Sequence, residues 1–177
     1  MFIQIPELAK QFNLKKEDLF VDVGGYIGDF TKHIFMNFAC NCLVFEPYYD
    51  DVIKRFIGIS KITVLKCGLG NKTEYRDIYE HREGTSLFPD WHNVKEYSGK
   101  VLILDAKILN DLDIKGIKLN CEGSEYDILE TIDLKIPQIL IQFHKIKEER
   151  YNKVVELLNT THSQKKFGGN WEMWIKK

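Results

Sequence analysis

Two segments of the chain combine carboxylates with glycines in a spacing that suits chemistry. The first is VDVGGYIGDF, residues 21 to 30, in which Asp22 and three glycines follow an apolar run. The second is NCEGSEYDIL, residues 120 to 129, which carries Glu122 and Glu125 after another apolar run. Each segment stands where a predicted strand gives way to a predicted helix. Ligands of open α/β sheets bind at the carboxyl ends of strands, so these two turns are the first candidates for a ligand site.

The glycine spacing in the first turn argues against two phosphate-binding motifs. A P-loop needs a Lys-Ser or Lys-Thr pair after its last glycine, whereas Gly28 is followed by Asp29 and Phe30. A dinucleotide loop needs G-x-G-x-x-G, so that backbone N–H groups and the helix dipole meet a pyrophosphate. Here the glycines are Gly24, Gly25 and Gly28, one position off, and Asp29 adds a negative charge where the pyrophosphate would sit.

A loop for S-adenosylmethionine has different demands, and this turn meets them. That ligand has no phosphate, carries a positive sulfonium and ends in an amino acid. Glycines let the backbone approach a ligand closely, and Asp22 at the strand end is placed to face the ammonium group. The alternative is an ordinary strand-to-helix turn, since short glycine motifs have a high false-positive rate.

Glu46 favours a nucleoside ligand over the ordinary turn. It ends the second predicted strand, and an acidic residue about 20 residues beyond such a loop can accept hydrogen bonds from ribose hydroxyls. The C-terminal segment KKFGGNWEMWI predicts a hairpin. A hairpin fits a methyltransferase sheet, whose last strand inserts antiparallel, whereas a dinucleotide fold would continue with a parallel strand. S-adenosylmethionine is therefore the predicted cofactor, and a dehydrogenase is a distant alternative.

Length and hydropathy pattern indicate one α/β domain over residues 1–177. Apolar runs alternate with helical patterns, which predicts a mostly parallel sheet flanked by helices and ended by an antiparallel hairpin. Residues 1–17 are predicted as an N-terminal helical segment. Residues 81–98 lack a convincing period and are predicted as a lid loop over the acceptor, the alternative being a plain surface loop. Their aromatic residues suit a sugar or an apolar substrate: Phe88, Trp91 and Tyr97.

Charge and cysteine usage predict a cytoplasmic protein without a nucleic-acid partner. The formal net charge is −1, which argues weakly against a nucleic-acid or anionic-membrane surface. The N-terminus is too polar for a signal peptide, and no apolar run approaches a membrane span. The four cysteines lie in apolar, strand-like stretches without a CxxC pair, so reduced buried thiols are expected and zinc is not: Cys40, Cys42, Cys67 and Cys121.

In these segments the sequence resembles the FkbM-type class I methyltransferases. VDVGGYIGDFT resembles their DVGANIGxxT motif, VFEP matches their second strand, and IKLNCEGSEYDIL resembles their iKiDvEGaEyevL. KCGLGN, SLF and ILIQFH are similar to later elements of the family and follow in the right order. The resemblance covers residues 15 to 145, and EGSE is its most family-specific element. It implies a single-domain Rossmann-like class I methyltransferase fold and methyl transfer from S-adenosylmethionine, typically to hydroxyl oxygens of sugars or natural products.

The loop, the strand ends and the resemblance together predict the site. The acceptor is expected to be a hydroxyl group of a small molecule or carbohydrate, and nothing in the sequence fixes the oligomeric state. No spacing of candidate ligands indicates a metal site. The predicted cofactor-binding residues are Asp22, Gly24, Gly25, Tyr26, Gly28, Thr31, Glu46, Pro47, Cys67, Gly68 and Asn120.

Methyl transfer to an alkyl hydroxyl needs a base, because the pKa of the hydroxyl lies far above 7. The predicted catalytic residues are Glu122 and His144, which end the predicted fourth and fifth strands of the parallel sheet. The alternatives are a carboxylate that only complements a helix N-terminus and a histidine that only satisfies local hydrogen bonds. Glu125 is expected to be a helix cap or a solvated residue.

Three amides stand where the family often carries carboxylates. Asn120 replaces the usual Asp, Gln142 a frequent Glu and Asn110 a common Asp. An amide keeps hydrogen-bonding capacity but cannot act as a base or supply negative charge. The alternative function is therefore an S-adenosylmethionine-binding protein of the same fold with altered or lost activity.

Overall fold

The structure is a computed structural model that describes residues 4–81, 84–88, 96–144 and 148–177. Its helices are α1 (Ile5–Ala9), α2 (Asp29–Phe38), α3 (Asp51–Phe56), α4 (Glu125–Leu129) and α5 (Glu148–Thr161), with a 3₁₀ helix at Ala106–Asp111. Its strands are β1 (Leu19–Val23), β2 (Asn41–Phe45), β3 (Ile62–Leu65), β4 (Gly68–Gly70), β5 (Glu74–His81), β6 (Gly84–Ser86), β7 (Glu96–Asp105), β8 (Ile114–Leu119), β9 (Gln138–Gln142), β10 (His162–Lys166) and β11 (Trp171–Lys176).

Within the described residues, seven strands form a central sheet in the order β3-β2-β1-β8-β9-β11-β10. The first five strands in this order, β3, β2, β1, β8 and β9, are parallel, because a helix or a longer segment connects each to the next along the chain. β11 pairs antiparallel with both β9 and β10. The predicted parallel sheet with an antiparallel terminal hairpin is confirmed.

Apolar layers cover both faces of this sheet, as expected for strands that are buried on both sides. On one face α4, α5 and the 3₁₀ helix pack on inward residues such as Ile117 and Ile139. On the other face α1, α2 and α3 pack on residues such as Phe20 and Val44. The carboxyl ends of β1, β2 and β8 lie together at one edge of this core.

A second sheet, with the strand order β4-β7-β5-β6, lies outside the prediction. The segment KITVLKCGLGN contains two strands: β3 ends at Leu65, and β4 pairs with β7 instead of the central sheet. β4 packs closely on β7, since a Cβ on Gly68 or Gly70 would come within 2.8 or 2.9 Å of the Ile103 side chain. The alternating segment TEYRDIYE forms most of β5, which pairs antiparallel with β7.

Two predicted segments differ in detail from the structure. In the predicted N-terminal helical segment, 1–17, helix α1 covers only Ile5–Ala9, and the chain beyond it buries Phe12 and Leu14 without helical structure. In the predicted lid, 81–98, residues 84–86 form β6 and residues 96–98 begin β7. Residues 82–83 and 89–95 of that lid, Trp91 among them, lie outside the described residues.

No helix in the described part of the chain is long and apolar enough to cross a membrane. All four cysteines are free thiols; three are buried, and Cys121 is partly exposed.

Candidate active site

A cleft opens where β1, β2 and β8 end. It encloses about 780 Å³ of empty space, which includes the open solvent at its mouth. The ends of the central strands supply Gly24, Glu46 and Asn120 to its lining. The second sheet supplies the facing wall, which includes Ile78 and Ile103. The cleft therefore lies at the sheet edge where the sequence predicts a ligand.

The glycines of the first turn bring the ends of three strands close together. Gly24 has a φ of +79°, and a Cβ there would lie 1.9 Å from the carbonyl oxygen of Asn120. Gly28, the residue before α2, has a φ of +86°, and a Cβ there would lie 2.6 Å from the Phe56 ring. A Cβ on Gly25 would lie 2.4 Å from the Val44 side chain. Of the three, only Gly24 lines the cleft, and the close packing of Gly25 and Gly28 shapes the loop.

Asp22 and Thr31 were predicted to contact the cofactor, but in the structure their side chains are hydrogen-bonded to each other beneath the cleft. Asp22 has no exposed surface, and its Oδ2 accepts a hydrogen bond of 2.6 Å from Thr31 Oγ1. Its Oδ1 accepts one of 2.9 Å from Lys118 Nζ, which also donates to the carbonyl oxygen of Gly24 at 2.6 Å. Neither Asp22 nor Thr31 lines the cleft. Together with Lys118, which was not predicted, they hold the loop in place.

Glu46 lies at the end of β2 with its carboxylate almost completely buried beside the cleft. Oε1 accepts hydrogen bonds from the backbone N–H groups of Tyr48 and Tyr49, at 2.8 and 3.1 Å, and Oε2 accepts one from Tyr26 at 2.7 Å. A carboxylate has about four lone-pair sites, so Oε2 can accept one more hydrogen bond. Burial raises the pKa of Glu46, although the three N–H groups act in the opposite direction.

Tyr26 stands at the mouth of the cleft. Its backbone is left-handed, with a φ of +50°, and half of its surface is exposed. The ring packs edge-on against Tyr49 at 4.6 Å between centroids. The exposed ring therefore lines the cleft from its mouth.

Two residues that line the cleft each have a buried polar atom without a hydrogen-bond partner among the described residues: Asn120 Oδ1 and Ser124 Oγ. A buried polar atom without a partner costs free energy, about 1–3 kcal/mol, and such atoms occur where a ligand completes the bonding. Asn120 was predicted here, and Ser124 was not.

Of the residues predicted after β2 and β3, Pro47 and Gly68 line the cleft and Cys67 does not. The Cys67 thiol is part of the apolar core beneath the cleft, where burial raises its pKa. The structure therefore places the Cys67 side chain outside the cleft.

Glu122, Glu125 and His144 form a cluster at one end of the cleft. His144 Nδ1 lies 2.9 Å from Glu125 Oε1, and His144 Nε2 lies 3.6 Å from Glu122 Oε1. Glu122 lines the cleft, and its left-handed backbone, with a φ of +51°, is held by a 3.0 Å hydrogen bond from Ser86 Oγ to its carbonyl oxygen. Burial lowers the pKa of His144, but the hydrogen bond and charge of Glu125, together with the charge of Glu122, raise it above its usual value.

Comparison with known proteins identifies the fold through structure alone. No protein-family model matches the chain, and no curated protein matches it in sequence. Methyltransferase FkbM from Methylobacillus flagellatus superposes with a TM-score of 0.63 at 16% identity, over 94% of this chain and 45% of that one. A ribosomal protein L11 methylase from Lactobacillus delbrueckii superposes with a TM-score of 0.55 at 14% identity, over 98% of this chain and 78% of that one. M. capricolum TrmK, in complex with S-adenosylhomocysteine, superposes with a TM-score of 0.51 at 13% identity, over 99% of this chain and 67% of that one.

The chain has the class I methyltransferase fold. The strand order, with an antiparallel β11 between β9 and β10, is the feature that the sequence pattern of the terminal hairpin predicted. The chain spans less than half the length of the FkbM enzyme. At these identities the similarity is one of fold, and the FkbM-type assignment stays a prediction from the sequence motifs.

Within this methyltransferase fold, the structure gathers part of the predicted site around one cleft. The predicted residues that line it are Gly24, Tyr26, Glu46, Pro47, Gly68, Asn120 and Glu122. His144 lies behind Glu122, outside the lining. Sequence reasoning missed Lys118, although a lysine inside the apolar run IKLN was a signal, and it assigned Glu125 to a cap or to solvent. Within the described residues no cluster of His, Cys, Asp and Glu is arranged to hold a metal.

Proposed function

We propose that the protein binds S-adenosylmethionine in this cleft and transfers its methyl group to a hydroxyl oxygen of a sugar or another small molecule. The observation that carries the proposal is the cleft itself: Gly24, Glu46 and Asn120, from three adjacent strand ends, border one space in a methyltransferase fold. The S-adenosylhomocysteine complex of the similar TrmK structure supports this cofactor.

The polar groups around the cleft fit this cofactor. Glu46 would hold a ribose hydroxyl through the remaining site on Oε2, and Asn120 Oδ1 would accept a hydrogen bond from the ammonium group. The close approach at Gly24 leaves the backbone of the loop beside the ligand. Pro47, Gly68 and Ile103 give the apolar surface that an adenine ring needs. When bound, S-adenosylmethionine supplies a methyl group activated by its sulfonium.

Glu122 and His144 are the groups that can take the proton of the acceptor. The acceptor oxygen forms its bond to the methyl carbon as the carbon–sulfur bond breaks, and the hydroxyl proton passes to one of these side chains. Glu122 borders the cleft, and the Nε2 atom of His144 stands 3.6 Å behind it. Alignment of acceptor and methyl group by the cleft walls supplies much of the remaining rate enhancement.

The second candidate is a protein of this fold that binds the cofactor without turnover. Asn120 favours it, because a neutral amide stands at the strand end where the family pattern has a carboxylate, and its Oδ1 has no partner among the described residues. This candidate predicts cofactor binding without methyl transfer to any acceptor.

Methyl-labelled S-adenosylmethionine separates the two candidates. The full chain is incubated with it and a panel of monosaccharides, glycosides and phenols, and labelled products are analysed by NMR. The proposal expects label in an O-methyl group. Label on nitrogen or carbon would overturn the O-methylation, and binding without transfer to any acceptor would favour the second candidate.

A further inference from the structure

The Glu125 carboxylate is fully buried, and its contacts reach beyond its own turn. Oε1 accepts a hydrogen bond from the backbone N–H of Cys121, and Oε2 accepts one from Gly123, each at 2.9 Å. These two bonds close the turn after β8. The third contact, from Oε1 to His144 Nδ1 at 2.9 Å, reaches a residue that follows β9, the strand next to β8 in the sheet. A role in closing the turn accounts for the two N–H contacts and leaves the histidine contact unexplained.

The chemistry of these contacts fixes the proton on His144. An ionised carboxylate only accepts hydrogen bonds, and both oxygens of Glu125 already receive backbone N–H groups. The neighbouring ring nitrogen, Nδ1, must then be the donor. In the neutral imidazole the other nitrogen, Nε2, carries the lone pair, and this is the nitrogen that lies 3.6 Å from Glu122 Oε1, at the edge of the cleft.

We infer that Glu125 is a positioning residue that acts through His144, holding the ring in its Nδ1–H form and turning the basic Nε2 atom toward Glu122 and the cleft. This inference rests on the proposed methyl transfer, for which it assigns the arrangement of the base. Glu125 itself does not line the cleft.

The charges around the ring agree with this arrangement. Among the described residues, Glu125 and Glu122 favour the protonated ring, while burial and the more distant Lys118 oppose it. A base must be unprotonated to act. Turnover is therefore expected to rise with pH through a His144 pKa that lies above the usual value, and Glu125 is the larger of the two carboxylate influences on that pKa.

Histidine ring nitrogens of the full-length, ¹⁵N-labelled protein test the inference without any cofactor. Long-range ¹H–¹⁵N spectra are recorded over about pH 5 to 9, the range in which histidine titrates, and the His144 signals are assigned by their loss in His144→Asn. We expect a neutral ring protonated on Nδ1 and a pKa above the ordinary histidine value. In Glu125→Gln we expect that pKa to fall and the Nδ1–H form to lose its dominance.

Glu122→Gln is the matched control, since it removes the other carboxylate near the ring. It should lower the His144 pKa less and keep the Nδ1–H form. A neutral wild-type ring protonated on Nε2 would overturn the inference, and so would a folded Glu125→Gln protein with an unchanged tautomer and pKa. If Glu125→Gln does not fold, the wild-type tautomer alone decides. Because the spectra need no S-adenosylmethionine, their outcome is independent of whether the proposed cofactor binds.

Discussion

Lys118 Nζ lies 2.9 Å from Asp22 Oδ1 with both side chains almost completely buried. The two residues are direct partners in the parallel ladder between β1 and β8. The ammonium group also donates to the carbonyl oxygen of Gly24. One buried ion pair thus joins the two central strands at the point where the glycine loop leaves the sheet.

Removing one partner of this pair should be far more harmful than removing both charges. We expect Lys118→Met to lower the free energy of unfolding by about 3–5 kcal/mol, because it leaves the Asp22 carboxylate buried without compensation. The double variant Asp22→Asn with Lys118→Met should recover a large part of that loss. Urea denaturation followed by circular dichroism gives both values. A Lys118→Met protein as stable as the wild type would contradict the role of the pair.

The Gly24 and Gly58 positions form a natural comparison for the loop. Both have positive φ, +79° and +82°, but a Cβ on Gly58 meets nothing within 4 Å, whereas one on Gly24 overlaps the Asn120 carbonyl. Gly58→Ala should cost only the left-handed strain of about 1–2 kcal/mol. Gly24→Ala should cost that strain and a displacement of the loop. Thermal unfolding of both variants measures the difference, and equal losses would show that the close approach at Gly24 does not matter.

The sequence predicted the parts of the fold that depend on local patterns. Buried strands such as β1 and β2 are largely apolar runs that stop before a glycine or a polar residue, and the GGN turn predicted the terminal hairpin. The second sheet could not be predicted in the same way. The alternation in β5 indicates a strand but not its partner, and the fit of Gly68 and Gly70 in β4 against Ile103 in β7 depends on a residue more than 30 positions away.

The site was predictable to a similar extent. Glu46 and Gly24 were found because their spacing is tied to strand ends. The roles of Asp22 and Glu125 were not, because each depends on a distant partner: Lys118 is 96 residues from Asp22, and His144 is 19 from Glu125. A glutamate at a helix start is usually solvated, so burial of Glu125 has no local signal.

Glu46→Gln should weaken S-adenosylmethionine binding by about 10- to 100-fold, the range for loss of a hydrogen bond to a charged group. Because burial raises the Glu46 pKa, protonation should weaken wild-type binding as pH falls through that pKa, at a higher pH than for an ordinary glutamate. Equilibrium binding as a function of pH checks both statements. Glu7→Gln, at an exposed position of α1, is the control and should bind as the wild type does.

Asn120→Asp should tighten cofactor binding, because a carboxylate beside the cleft attracts the ammonium group more strongly than an amide does. Its apo form should be less stable, since the new charge is partly buried. Asn110→Asp is the matched control: Asn110 is exposed, accepts a hydrogen bond from the Asp133 backbone N–H at 2.8 Å and lies outside the cleft. Binding titrations of both variants decide; an equal gain in both would argue against a cofactor contact at Asn120.

Calorimetric titration of the full chain with S-adenosylmethionine tests the central claim most directly. We expect one molecule to bind per chain, with binding lost in Gly24→Ala and retained in Gly58→Ala. Folded wild-type protein that gives no binding heat at millimolar ligand would contradict the assignment of the cleft, as would undiminished binding by Gly24→Ala.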